Sequence, residues 1–220
     1  MKKILKVISS KLPKIYQQEL KRLYFSRQIS KGTFVSDEKE FDELEKWICK
    51  GDWVIDVGAN IGHYTKRLSE LVGNAGRVIA FEPIPYTFEL LAANMAKLPF
   101  NNVSLFNIAA SDTSSIQGMS LPKFDTGLDN YFMAKITTSS PSLEILCLSI
   151  DSLNLPHPVR LVKIDAEGHD IHVLRGMESI LKEDHPVLII EEDSSEIEEY
   201  LGNFNYSSER LSGSHNKVYS

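Results

Sequence analysis

From Asp37 onward, apolar residues switch repeatedly between helical spacing and short continuous runs, and this alternation restricts the fold more than any other feature. Phe41, Leu44, Trp47 and Ile48 share a helical face before Gly51, and residues 54–57 read as a buried strand. Tyr64, Leu68, Leu71 and Val72 form the next stripe, followed by a strand at 77–81. Pro85 suits a first helical position, with Phe88, Leu91, Met95 and Leu98 on the inner face and Pro99 as the stop. Further strands are predicted at 103–109, 160–164 and 187–191, with a short extra one at 143–148. Ile171, Leu174, Met177 and Leu181 predict one helix, and residues 197–201 another. Two weak strands near 205–211 and 217–219 flank Ser212, Gly213 and Ser214 as a hairpin. Such alternation gives right-handed crossovers and a doubly wound, mostly parallel α/β sheet.

A chain of 220 residues, 42% hydrophobic and 25% charged, supports one globular domain and excludes disordered, collagen-like and disulfide-stapled classes. No apolar run approaches the roughly 20 residues of a membrane span. Cys49 and Cys147 lack metal-type spacing and read as buried thiols of a reducing, cytoplasmic compartment. Lys6 interrupts the apolar residues after Lys2 and Lys3, and no small-residue cleavage site follows, so the N-terminus is read as mature protein.

Residues 1–31 hold nine Lys or Arg against Glu19 alone, a charge of +8, whereas the rest holds 15 bases and 29 acids, −14. An acidic body argues against nucleic acid as a partner. Residues 1–35 form a basic amphipathic helical segment, with Ile4, Ile8, Leu12 and Ile15 at helical spacing interrupted by Pro13, ahead of a main domain at 36–220. That segment suits either peripheral contact with an anionic membrane or packing on the domain or on a second subunit. Residues 111–142 are polar and poorly periodic, an insertion whose part at 125–131, with Gly127 as hinge, is a candidate acceptor lid.

Ligands of open parallel sheets sit beyond the carboxyl ends of the strands. The first such end reads Asp56-Val57-Gly58-Ala59-Asn60-Ile61-Gly62, where the glycines allow a tight turn into the next helix. The next strand ends in Phe81-Glu82-Pro83, placing a carboxylate where it can accept both hydroxyls of a ribose. Asn60 stands where G-x-G-x-x-G requires its second glycine, and Asp56 would oppose a pyrophosphate. Both favour a cationic, phosphate-free nucleoside, S-adenosylmethionine, over NAD, and no phosphate-loop pattern for ATP or GTP is present.

A third strand end reads Lys163-Ile164-Asp165-Ala166-Glu167-Gly168-His169-Asp170. The combination D-V-G-A-N-I-G, F-E-P and K-I-D-x-E-G-H resembles the FkbM family of S-adenosylmethionine-dependent methyltransferases, from about residue 51 to 218. The resemblance implies a Rossmann-like class I methyltransferase fold: a seven-stranded sheet with an antiparallel last strand. It also implies methylation of a hydroxyl on a sugar, glycolipid or secondary metabolite. Carried over, Asp56, Gly58, Asn60 and Gly62 would hold the methionine part, Glu82 the ribose, Asn107 and Ala109 the adenine, and Asp165 would lie beneath the methyl group. Ala59, Tyr64 and Pro83 complete the candidate cofactor set. Asp170 stands where the family commonly has Glu, one methylene longer.

An alcohol needs its proton removed before it attacks, and His169, Glu167 and Asp165 are the candidate bases, His169 preferred because imidazole titrates near neutral pH. His63 suits either ligand contact or a surface position. Asp165 with Glu191 or Glu192 would form a Mg²⁺ site; a metal-free base is the preferred reading, and no zinc pattern occurs. The acceptor is a small molecule or glycan, and an oligomer is compatible with the sequence. Competing readings are methylation of nitrogen or a protein side chain, an NAD-dependent oxidoreductase, and a membrane-docked cofactor-binding protein without turnover.

Overall fold

The computed structural model describes residues 13–124 and 129–220. The lid hinge Gly127 and the apolar positions Ile4, Ile8 and Leu12 lie outside the described residues. Helices α1 (Lys14–Ser30) and α2 (Lys39–Glu43) come first, the second running into a 3-10 turn at Leu44–Lys46. Two strand-helix units follow: β1 (Trp53–Val57) with α3 (His63–Val72), and β2 (Arg77–Phe81) with α4 (Pro85–Met95), leading to β3 (Val103–Phe106). Four short strands come next, β4 (Ala109–Ala110), β5 (Ser115–Ser120), β6 (Lys135–Ile136) and β7 (Leu143–Leu148). The chain then forms β8 (Val159–Ile164), α5 (Asp170–Arg175), α6 (Glu178–Glu183), β9 (Val187–Ile190), α7 (Ser195–Gly202), β10 (Ser208–Glu209) and β11 (Lys217–Tyr219).

The main sheet has the order β10-β11-β9-β8-β1-β2-β3. Pairings β1–β2, β2–β3, β1–β8 and β8–β9 are parallel, and β11 runs antiparallel to both neighbours. This is the seven-stranded sheet with an antiparallel last strand expected from the sequence. Strand side chains alternate between faces, so two cores form. Ile55, Val57, Ile79 and Phe81 face the side covered by α5, α6 and α7, with Leu174, Met177, Leu181 and Leu201. Val54, Val78 and Leu161 face Phe41, Leu44, Leu68 and Val72 on the α2 and α3 side.

Four expectations are corrected. The third strand stops at Phe106, and Ala109 and Ala110 instead pair with Cys147 and Leu148 in a second sheet of order β4-β7-β5-β6. The unpatterned stretch at 111–142 therefore contributes two strands, β5, which pairs with β7, and β6, which pairs with β5, so that partners rather than their own periodicity order them. The helix expected across 171–181 is two, Asp170–Arg175 and Glu178–Glu183, parted at Gly176, where the Ser111 carbonyl oxygen approaches so closely that a Cβ would stand 1.8 Å from it. Of the two cysteines, Cys147 is buried but Cys49 is exposed. No helix among the described residues is long and apolar enough to cross a membrane.

Candidate active site

A cleft of about 280 Å³ opens beyond the carboxyl ends of β1, β2, β8 and β9 and is roofed by Met119, Tyr131, Ala134 and Ile136 of the second sheet and its connections. Its floor begins at the turn after β1. Gly58 and Ala59 donate their amides to the Phe81 carbonyl at 3.0 and 2.9 Å, tying this turn to the end of β2. Gly58 has φ +74°, and a Cβ there would come within 1.9 Å of the Asp165 carbonyl oxygen. Glycine is thus required both by conformation and by the close approach of two strand ends.

Glu82 is 4% exposed and lines the cleft. Its Oε2 accepts the Asn60 amide and its Oε1 the Ile84 amide, both at 2.9 Å. Burial pushes this carboxyl up to about 7 despite those two bonds, with Asp56 and Asp165 adding in the same direction. Asn60 reaches Glu82 by adopting a left-handed backbone, φ 50°, which asparagine tolerates better than most residues. Asn107 donates Nδ2 to the carbonyls of Glu82 and Pro83 at 2.8 and 3.1 Å, holding the end of β2 in place.

Across the cleft, the link from β8 to α5 turns through two left-handed residues, Glu167 at φ 52° and Gly168 at φ 87°. Carboxylate oxygens of Asp165, Glu167 and Glu191 come within 4.8 Å of one another. A hydrogen bond that protonated Glu191 donates to Asp165, together with burial, holds Glu191 well above the usual carboxylate range, and Glu167 is raised by burial and by Asp165. Asp165 also lies 3.9 Å from the buried Lys163 Nζ. His169 lines the same wall, with Nε2 3.0 Å from Ser111 Oγ and its ring stacked on His172 at 4.5 Å. Burial and His172 lower its pKa to about 4, so the imidazole is neutral at pH 7.

The cleft therefore gathers Gly58, Asn60, Glu82, Pro83, Ala109, Asp165, Glu167 and His169 from the expected set, and adds Glu191, Tyr131 and the roof. Asp56, Ala59, Gly62, Tyr64 and Asn107 do not line it. Alternation along β1 turns Asp56 to the α3 side, where it is 2% exposed and accepts Thr65 Oγ1 at 2.5 Å. Burial pushes its carboxyl up to about 6. Tyr64 follows it there, bonded to Glu38 at 2.5 Å. Ala59 and Gly62 pack against α4, a Cβ on Gly62 meeting Leu91 and Met95 at 2.7 Å. His63 lies against Phe34, and Asp170, 1% exposed, stands behind the cleft. Sequence reasoning raised Glu191 only as a metal ligand, although an acid just past a strand's carboxyl end was the available signal; Tyr131 is the last residue of the candidate lid 125–131, and all four roof residues fall within the polar insertion 111–142.

Among the described lining residues there are four carboxyl groups and no Lys or Arg. That field opposes a pyrophosphate and favours a cation. A lining of carboxyl groups without a base fits the cationic, phosphate-free S-adenosylmethionine.

Comparison with known proteins agrees with this reading. Residues 56–208 match the methyltransferase FkbM domain. The chain is 31% identical over 142 residues to the hexuronic acid methyltransferase AglP of Haloferax volcanii, covering 63% of this chain and 55% of that protein. It thus spans about half the length of that relative. In fold it is similar to the methyltransferase FkbM of Methylobacillus flagellatus KT, with TM-score 0.51 and 16% identity, over 76% of this chain and 43% of that one. It is also similar to Aeropyrum pernix fibrillarin, solved with bound S-adenosyl-L-methionine, with TM-score 0.50 and 12% identity, over 79% and 67% of the chains. With a domain match covering most of the chain and the cleft residues on it, this chain belongs to the FkbM family of S-adenosylmethionine-dependent methyltransferases.

Proposed function

We propose that this chain methylates a hydroxyl oxygen of a sugar or glycan, with S-adenosylmethionine bound in the cleft. The observation that carries the reading is the convergence of Glu82, held by two backbone amides, with the Asp165, Glu167 and Glu191 carboxylates on one floor. The similarity to a hexuronic acid methyltransferase supports a sugar acceptor. When bound, the cofactor supplies an electrophilic methyl group on a cationic sulfur. Glu82 accepts the ribose hydroxyls, and the acidic floor stabilises the cationic end. The acceptor lies under Tyr131 and Ile136, with its hydroxyl directed at the floor. Its proton passes to the Asp165, Glu167 and Glu191 cluster, while neutral His169, fixed on Ser111, positions the oxygen.

Incubation of the chain with methyl-tritiated S-adenosylmethionine and a panel of neutral sugar glycosides, uronic acid glycosides and peptides tests this. The expected product is an alkali-stable methyl ether on a sugar. Label appearing only on peptide, on nitrogen or in an alkali-labile ester would replace the reading by one of its alternatives. Cofactor binding with no transfer to any class would point to a binding protein without turnover.

A further inference from the structure

Helix α1 has two apolar faces. One packs on the domain, where Phe25 and Ile29 meet Phe34 and Leu90. On the same side Lys21 Nζ stands 4.9 Å from the ring centre of Tyr86 and 5.8 Å from that of Tyr131, a residue of the cleft wall. At about 100° per residue the opposite face carries Tyr16, Leu20, Leu23 and Arg27 in line, with Tyr24 beside them. These apolar side chains are exposed by 60% at Tyr16, 47% at Leu20, 67% at Leu23 and 55% at Tyr24. Ile15 adds a fifth exposed apolar residue near the start of the helix. Single exposed leucines need no explanation, but a continuous stripe along a helix marks an interaction surface.

Charge selects the partner. Arg27 stands in line with the stripe and Arg22, paired with Glu19 at 2.8 Å, lies outside it, whereas Lys21 is on the packed side; residues 1–31 together carry +8 on a chain whose remainder is −14. A two-fold contact between copies through this stripe would bring two such segments together and repel. An anionic lipid surface instead complements the net positive charge of residues 1–31 and accepts the apolar stripe. We propose that the outer face of α1 seats this chain on an anionic bilayer, with Tyr16, Leu20, Leu23 and Tyr24 entering the boundary between headgroups and acyl chains. Because α1 lies between that face and the Tyr86–Tyr131 pair, docking brings the cleft wall within about one helix diameter, roughly 10 Å, of the lipid surface.

The test reads binding, not turnover, and so stands apart from the acceptor assignment. The full chain is sedimented with vesicles of 70:30 phosphatidylcholine and phosphatidylglycerol, and with phosphatidylcholine alone, at low and at high salt. Binding is expected only to the anionic vesicles, falling at least about tenfold in the Leu20→Ser/Leu23→Ser variant and also in high salt. Both residues are exposed, and an unchanged thermal midpoint confirms that the variant is folded. No binding by the unaltered chain would overturn the proposal. So would binding that the double substitution leaves intact, because the lipid contact would then lie elsewhere, for example in residues 1–12. A dimer in light scattering that the same substitution dissociates, without vesicle binding, would assign the stripe to a second copy.

Discussion

Replacing Glu82 by Gln should flatten the pH dependence of stability. In the folded chain burial penalises the charge of Glu82 and pushes its carboxyl up to about 7, against 4.5 for an ordinary glutamate. The folded state therefore keeps the proton between these values while the unfolded state has lost it. Stability from this group is fully present below about pH 4.5 and is lost as pH rises through 7. At 1.36 kcal/mol per pH unit, the swing is about 3 kcal/mol. Asp56 and Asp170, each pushed up to about 6 by burial, act with the same sign but are common to both proteins. The variant cannot titrate at this position, and its amide leaves the Asn60 or Ile84 N–H without an acceptor, a cost of about 1–3 kcal/mol at every pH. Urea unfolding at pH 5, 6, 7 and 8 separates the two effects. The unsubstituted chain should lose about 2.5 kcal/mol more than Glu82→Gln between pH 5 and 8, the part of the swing that this window spans, with the variant less stable at pH 5. Curves that run parallel across this range would refute the buried, proton-holding state of Glu82.

Three further outcomes follow from the geometry. Gly58→Ala forces a Cβ to 1.9 Å from the Asp165 carbonyl at a left-handed φ, and should cost about 3 kcal/mol or more, a fall of about 10 °C in thermal midpoint; an unchanged midpoint contradicts the close approach. Gly176→Ala should destabilise comparably through its 1.8 Å clash with Ser111, whereas Gly202→Ala, which meets nothing within 4 Å, should be neutral or stabilising, and equal effects would contradict the packing. With an acceptor in hand, transfer should rise with pH through the neutral range as Glu191 loses its proton. Asp165→Asn should abolish that rise and slow transfer by about 10²–10⁴. His169→Ala should keep the rise, and its loss there would return the base to His169.

Much of this was readable in advance because parallel strands buried on both faces leave short, mostly apolar runs, as 187–190 does and as 54–57 does apart from Asp56, and because Gly58 and Glu82 sit just past strand ends, where the cleft opens. What was not readable depends on distant partners. The need for glycine at 176 comes from the approach of Ser111, and β5 exposes Ile116 while burying Met119, a pattern set by its pairing with β7 and β6. Asp56 belongs to the same motif as Gly58 and Asn60, but strand alternation turns it toward Thr65. Glu191 required register: its amide meets the Ile164 carbonyl at 3.3 Å, which brings the ends of β8 and β9 together and Glu191 onto Asp165. The outer face of α1 shows as an apolar stripe only once the packed face is known.

The most direct measurement is a calorimetric titration of the chain with S-adenosylhomocysteine, repeated with NAD and with Glu82→Ala. An adenosyl site on this acidic floor predicts one-to-one binding of S-adenosylhomocysteine, weakened at least about tenfold by the substitution, and no binding of NAD. Binding of NAD in preference, or S-adenosylhomocysteine binding that ignores Glu82, would contradict it.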